Sequence, residues 1–236
     1  RQSIDSMPPP GVKILTPNLD EMAKNGALFP SAAVTASTCQ PSLAGILRGL
    51  YLRDIYARKN PEVHTGIPQF LKDTGYATLH TGKWWEGDLY AWGFTDTMKD
   101  YGVTIEANIG RKTMEPIYQF IKKHHLDTPL DQKKPFFIWF APHIPHTRHS
   151  GFPKDIGEYW EAQFQGKNPS VWKYQATITW LDRLTGELKG FLEQNGIANN
   201  TLIIFVVDNG AAMQPSKGSF TENGIRTPLI LYYPGV

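Results

Sequence analysis

The one cysteine of the chain, Cys39, stands where a polar approach ending in Thr38 turns into the short amphipathic stretch Gln40-Pro41-Ser42-Leu43-Ala44-Gly45-Ile46-Leu47-Arg48-Gly49. Backbone N–H groups left unpaired at a helix start lower the cost of negative charge there. Pro41 suits the opening turn because its missing N–H is one of those orphans. A thiolate, or an oxygen nucleophile derived from it, is favoured at such a spot; a small packed hydrophobe is the other reading of a lone cysteine. Lys83 follows Gly82 at the end of the run Tyr76 to Thr81. An ammonium emerging from a strand's carboxyl end can neutralise an oxygen of a tetrahedral oxyanion, although most lysines only solvate a surface. In Pro142-His143-Ile144-Pro145-His146 two prolines stiffen a turn that carries imidazoles suited to proton transfer. Asp208-Asn209-Gly210 offers a carboxylate and an amide carbonyl of the kind hard divalent cations take, or a plain turn.

The elements that must position these residues follow from periodicity and punctuation. Thr16 to Gly26 reads as a complete helix, with a Thr cap, Pro at the first position and Gly at the stop. Ala27 to Val34 reads as a buried strand leading to Cys39, whose helix ends near Gly49. Thr65 to Thr74 is expected to be a second short helix with Ile67, Phe70 and Leu71 on one side. Tyr76 to Thr81 is a strand, and the aromatic stretch Trp84 to Trp92 a loop that packs beside a site or touches the organic part of a substrate. Thr113 to Leu126 is helical, with His124 and His125 as structural residues of its last turn. Pro135 to Ala141 is a strand expected to be buried on both faces, and Thr201 to Val207 the clearest buried strand. Between them Ser170 to Gly196 carries a long helix with a stripe of Ile178, Leu181, Leu184, Leu188, Phe191 and Leu192. Leu229 to Tyr233 is a last strand. Strands alternating with helices, with candidate residues at strand ends, predict an α/β fold with a mostly parallel sheet sandwiched by helices.

Length and 41% hydrophobic content allow a substantial core in one large domain or a piece of a bigger one. The formal charge of +2 is spread along the chain, so neither a nucleic-acid surface nor a polybasic membrane anchor is expected. One cysteine excludes an internal disulfide framework. Both ends read as cut, Arg1 opening without a preceding strand and Val236 closing just after one, so residues 1–236 are expected to be an α/β domain incomplete at the N-terminus and at the C-terminus.

Cys39-Gln40-Pro41-Ser42 with its Ala/Gly/Leu helix resembles the Cys-x-Pro-Ser-Arg signature of the type I sulfatases. Four further segments stand in that family's order: Gly75-Tyr76-Ala77-Thr78 through Lys83-Trp84, Ala141 through His146, Val207 through Gly210, and Lys217-Gly218 through Glu222-Asn223-Gly224-Ile225-Arg226-Thr227-Pro228. The resemblance implies an alkaline-phosphatase-like fold and hydrolysis of sulfate esters by formylglycine formed from Cys39. It implies Lys83 and Lys217 as sulfate-binding lysines and His143 as the group that assists the leaving alcohol. His146 and His149 would line the entrance, and Arg226 would be a scaffold arginine in an ion pair. Calcium, or magnesium or manganese in its place, would be held by Asp208, Asn209 and position 39, with paired aspartates on a strand that precedes Arg1 in the family. A sulfated small molecule or carbohydrate would be the substrate, and the formylglycine-generating enzyme a partner in maturation. A periplasmic, extracellular or lysosome-like compartment would suit that chemistry.

Two positions depart from the pattern. Leu43 stands where the family has the motif's arginine, and Trp85 stands for a histidine two residues after the lysine. Indole only donates one hydrogen bond, so Trp85 is neither acid nor base, and Arg48 sits too far along the helix to replace the missing arginine. Two alternatives therefore accompany the sulfatase reading: a phosphate or phosphonate ester hydrolase of the same superfamily, and a sulfatase-like binding protein without turnover.

Overall fold

The computed structural model describes residues 13–57, 66–211, 216–219 and 221–236. In chain order its principal elements are α1 (Pro17–Asn25), β1 (Ala27–Phe29), α2 (Cys39–Arg48), α3 (Leu52–Ala57), α4 (Ile67–Asp73), β2 (Ala77–Gly82), β3 (Asp96–Thr97), α5 (Glu115–Ile121), β4 (Phe136–Ala141), α6 (Lys154–Gln163), α7 (Pro169–Gln194), β5 (Ile203–Val206), α8 (Glu222–Ile225) and β6 (Leu229–Tyr232). They fall into two compact units, one of residues 1–33 and 144–236, the other of residues 34–143. The expected α/β class holds.

In the second unit β2 is the centre of a parallel sheet of order β3-β2-β4. All six of its residues are buried, as a central parallel strand requires. The core beside it is Leu47, Trp92 and Phe94, with Trp84, Phe137 and Trp139 packed against them. The helix of Thr113 to Leu126 is α5 continued by a π-helical turn, Lys122–Leu126. That turn lets consecutive residues reach one carboxylate: Lys123 Nζ lies 2.6 Å from Asp96 Oδ1 and His124 Nε2 3.0 Å from Oδ2. Burial works to raise the Asp96 carboxyl, but the bonds from Lys123, Tyr101 and Thr95 outweigh it and hold it below the usual range. His124 is thus structural, as expected, through its bond to a buried carboxylate. Two expectations are corrected. The Ile67, Phe70 and Leu71 side of α4 is not a core face: Phe70 is 68% exposed and Pro68 is the buried residue of this helix. And β4 is half-buried along its whole length, because it is bonded to β2 on one edge only among the described strands.

In the first unit the strands pair antiparallel in the order β1-β6-β5. Here β1 is exposed throughout and Ile204 of β5 is 57% exposed, so neither is the buried strand that its apolar composition predicts. The helix α1 has no Thr16 side-chain cap; Asp182 of α7 accepts from the backbone N–H groups of Asn18 and Leu19 instead. Gly26 is needed not for a left-handed stop but for close approach, since a methyl there would overlap the Leu231 carbonyl of β6. The stripe predicted for α7 contributes only Leu184 and Leu192 to its buried residues; much of that buried face is polar. Thr179 donates to the Leu15 carbonyl and accepts from Trp160 Nε1, and Lys189 pairs with Glu21 of α1. A pattern of apolar residues cannot reveal a face whose contacts are hydrogen bonds to a distant helix.

Candidate active site

Cys39 opens α2 behind Thr38, whose carbonyl accepts from the Ser42 N–H, and Gly49 closes the helix in the left-handed conformation at φ 64°. Leu43, in place of the expected arginine, is 6% exposed and packs as a core residue. Ser42 Oγ is buried with no hydrogen-bond partner. Arg48 does point elsewhere: its guanidinium lies over the Trp92 ring, 4.5 Å from the centroid, and bonds Glu86 at 3.4 Å.

Lys83 is placed by the ends of two parallel strands. Its N–H donates to the Ala141 carbonyl at 2.8 Å. Gly82 before it has φ 86°, and a side chain there would overlap that same carbonyl, so only glycine lets β2 and β4 close at this rim. The Lys83 ammonium then donates to Cys39 Sγ at 3.6 Å, across 44 residues of sequence. Beneath the turn lies a residue that sequence reasoning missed. His80 is buried in β2, with Nε2 3.1 Å from the Lys83 carbonyl and its ring edge-on to Trp84 and Phe94. Burial pushes its pKa from 6.5 down to about 4, against the bond to Lys83 and with the help of Lys99, so the imidazole is neutral and Nε2–H donates. The signal was a histidine in the middle of the strand, three residues before the lysine.

His143 follows β4, and its Nε2 lies 3.5 Å from Glu106 Oε2. Glu106 was also unforeseen; no motif marks it. His146 Nδ1 is 2.9 Å from the Thr147 carbonyl, and His149 Nε2 is 3.1 Å from the Pro145 carbonyl with its ring on Tyr174.

The remaining candidates gather in the first unit. Asp208 and Asn209 leave β5 into a turn clasped by the segment before β6. Thr227 Oγ1 donates to the Val207 carbonyl at 2.8 Å and accepts from its N–H at 2.9 Å; Ser216 Oγ donates to the Asn223 carbonyl at 2.6 Å. Gly210 fits between Ser216 and Asn223 where a side chain would not. Lys217 is brought to the same turn by its N–H, which donates to the Ala211 carbonyl at 3.0 Å. Asn209 is 9% exposed; its Nδ2 donates to the Gly210 carbonyl, while its Oδ1 is buried without a hydrogen-bond partner. A buried carbonyl oxygen beside a carboxylate is a donor set for a hard cation, so the pair fits calcium, magnesium or manganese. Among the described residues no cluster of three or more His, Cys, Asp or Glu could hold a metal ion. The two oxygens are fewer than the roughly six to eight that calcium takes. Arg226 is less of an ion-pair residue than expected: its pair with Glu222 at 3.7 Å is exposed, and the shorter bond, 2.9 Å, goes to the Pro30 carbonyl.

The sulfatase family model matches residues 6–236 of this sequence, in keeping with the order of its motifs. The chain belongs to the sulfatase family. The N-acetylgalactosamine-6-sulfatase of Rattus norvegicus is 26% identical over 93% of the chain and 52% of that protein. The chain thus spans about half the length of the curated relatives it matches. Among solved structures, Ps i-CgsB in complex with k-i-k-neocarrahexaose aligns over 95% of the chain and 62% of its own, at TM-score 0.74 and 21% identity. The lipoteichoic acid synthase LtaP of Listeria monocytogenes aligns over 95% and 62%, at TM-score 0.64 and 16% identity. These likenesses establish an α/β fold of the alkaline-phosphatase kind. That a sulfatase-family chain and a lipoteichoic acid synthase share it is why the fold by itself does not choose the ester.

Proposed function

We propose that the chain carries the core of a sulfate-ester hydrolase, with position 39 as nucleophile. The observation that supports this most is the Lys83 ammonium on Cys39 Sγ, a cation held beside the family's nucleophile position by a backbone bond, a required glycine and a buried histidine. In this reading Lys83 and Lys217 would each balance charge on a sulfate oxygen, an electrostatic stabilisation that sulfuryl transfer needs because charge moves onto the leaving oxygen. His143 holds a proton for that oxygen, with Glu106 orienting the ring. Asp208 and Asn209 would hold a calcium ion, together with position 39. When bound, that ion polarises sulfate oxygens as a Lewis acid. Conversion of Cys39 to formylglycine would supply a hydrated aldehyde oxygen as nucleophile in place of sulfur. The substrate class is a sulfated carbohydrate, in line with the name of the rat relative and the neocarrahexaose ligand of Ps i-CgsB.

A second reading is favoured by one observation. Leu43 is built into the core where the family carries its arginine, which fits a sulfatase-like protein that binds and does not turn over. Intact mass of protein from the native host decides between them. Conversion removes about 18 Da from the Cys39 peptide, and turnover of 4-nitrophenyl sulfate above that of 4-nitrophenyl phosphate supports the first reading. An unmodified Cys39 with no turnover supports the second, and preferred turnover of the phosphate overturns both.

A further inference from the structure

The loop after Lys83 contains a group that none of the catalytic roles uses. Trp84 and Trp85 follow the lysine directly, and the two rings have different surroundings. Trp84 is half-buried and packs against the core: its ring meets His80, Trp92 and Phe94 edge-on, and its Nε1 donates to the Gly87 carbonyl. Trp85 is half-buried, tilted by 38° against Trp84 with centroids 5.5 Å apart. Its Nε1 donates to Glu86 Oε1 at 3.0 Å, so the one polar atom of the indole is committed. Glu86 is itself anchored twice. Arg48 bonds its Oε2, and its backbone carbonyl accepts from Trp92 Nε1 at 3.0 Å. Arg48, whose side chain is 8% exposed, is in turn stacked on Trp92. A chain of contacts from the buried Trp92 through Arg48 and Glu86 thus fixes the plane of Trp85.

We infer that Trp85 is a specificity residue whose indole face receives the sugar ring that carries the sulfate held by Lys83. Two residues span at most about 7 Å of backbone, and the ring of a sulfated sugar begins one or two bonds from the ester oxygen, so both parts of such a ligand fall within reach of one short loop. Pyranose rings present an apolar C–H face that stacks on indole and a rim of hydroxyl donors. The Glu86 carboxylate beside Trp85 accepts such donors, which an aryl ester lacks. A plane already fixed by Glu86 loses little side-chain entropy on binding. The inference deepens the sulfate-ester reading by assigning the residue that selects a carbohydrate.

The test measures binding rather than turnover, by isothermal titration of the full chain with galactose 6-sulfate, methyl sulfate and inorganic sulfate. Wild type should bind galactose 6-sulfate about tenfold more tightly than methyl sulfate, a gap of about 1.4 kcal/mol. Trp85→Ala should close that gap and leave inorganic sulfate binding unchanged, while Trp85→Phe, which keeps a flat ring and guards against misfolding of the alanine variant, should retain most of it. Equal binding of the sugar sulfate and methyl sulfate by wild type overturns the inference. So does a Trp85→Ala variant that keeps the gap, or one that loses inorganic sulfate to the same extent. A wild type that shows the gap yet hydrolyses no sulfate ester leaves the sugar platform standing and removes only the enzymatic reading.

Discussion

The candidate residues of the two units are held by different devices. In the second unit Lys83 stands at the end of β2, a central strand buried along its whole length, and its position follows from strand pairing, one glycine and one histidine beneath the turn. In the first unit Asp208 and Asn209 leave β5, a partly exposed strand at the edge of its sheet, and their turn is held by hydroxyl-to-backbone bonds from Ser216 and Thr227. A lysine that must meet a fixed thiol benefits from a rigid sheet rim. Oxygen donors for a cation need only a turn whose carbonyls and carboxylate stay turned one way, and side-chain clasps suffice for that.

The sharpest test of this contrast is Lys83→Met, which removes the cation and leaves its scaffold. Catalytic efficiency toward a sulfate ester should fall roughly a hundred- to a thousandfold, with the denaturant midpoint within the range of ordinary surface variants. Gly82→Ala strikes the scaffold itself. It combines a positive φ with overlap of the Ala141 carbonyl and should cost on the order of 3 to 4 kcal/mol in a urea melt. Gly210→Ala, crowded by Asn223 and Ser216 without a left-handed backbone, should cost less. If the two glycines prove equal, the sheet rim is no stiffer than the clasped turn.

The third test is pH. His80 is neutral in the folded chain down to about pH 4, whereas in the unfolded chain it takes a proton near 6.5. The unfolded state therefore binds more protons between these values. The stability contributed is present in full above about pH 6.5 and is lost as pH falls through the window. Between pH 7 and pH 4.5 the loss should be about 2 to 3 kcal/mol. A His80→Gln variant should show a correspondingly shallower dependence over that range. An unchanged slope in the variant would show that His80 is not held neutral. The smallest effects belong to the first unit. Thr227→Val loses both bonds to Val207 and should cost about 1 to 2 kcal/mol, while breaking the exposed Arg226 pair through Glu222→Ala should move the melt by no more than about 1 kcal/mol.

Legibility differed between these regions for the same physical reasons. β2 was readable because Tyr76 to Thr81 is a short run bounded by Gly75 and Gly82, although its composition did not show that the polar Thr78, His80 and Thr81 are all buried. The same logic misled at β1, β4 and β5, since an apolar run reports composition and not which faces a sheet edge leaves uncovered. His80 and Glu106 carry no motif: what makes them relevant is the carbonyl above one and the imaidazole beside the other. Asp182 was passed over as a polar position on α7, though it caps a helix more than one hundred and sixty residues earlier.

Local order along the chain, by itself, determined the family and the residue types available for chemistry: a cysteine opening a helix, lysines after glycine and serine, a proline-bracketed histidine and an Asp-Asn turn. Those are short-range facts, written in neighbours that share a turn or a strand end. Only the tertiary structure decided that Lys83 reaches Cys39, that His80 is stripped of its proton by burial, and that Asn209 keeps a buried oxygen without a partner. Each of these depends on which distant segment excludes water from a given atom, and burial is a property of the packed molecule that no stretch of residues carries alone.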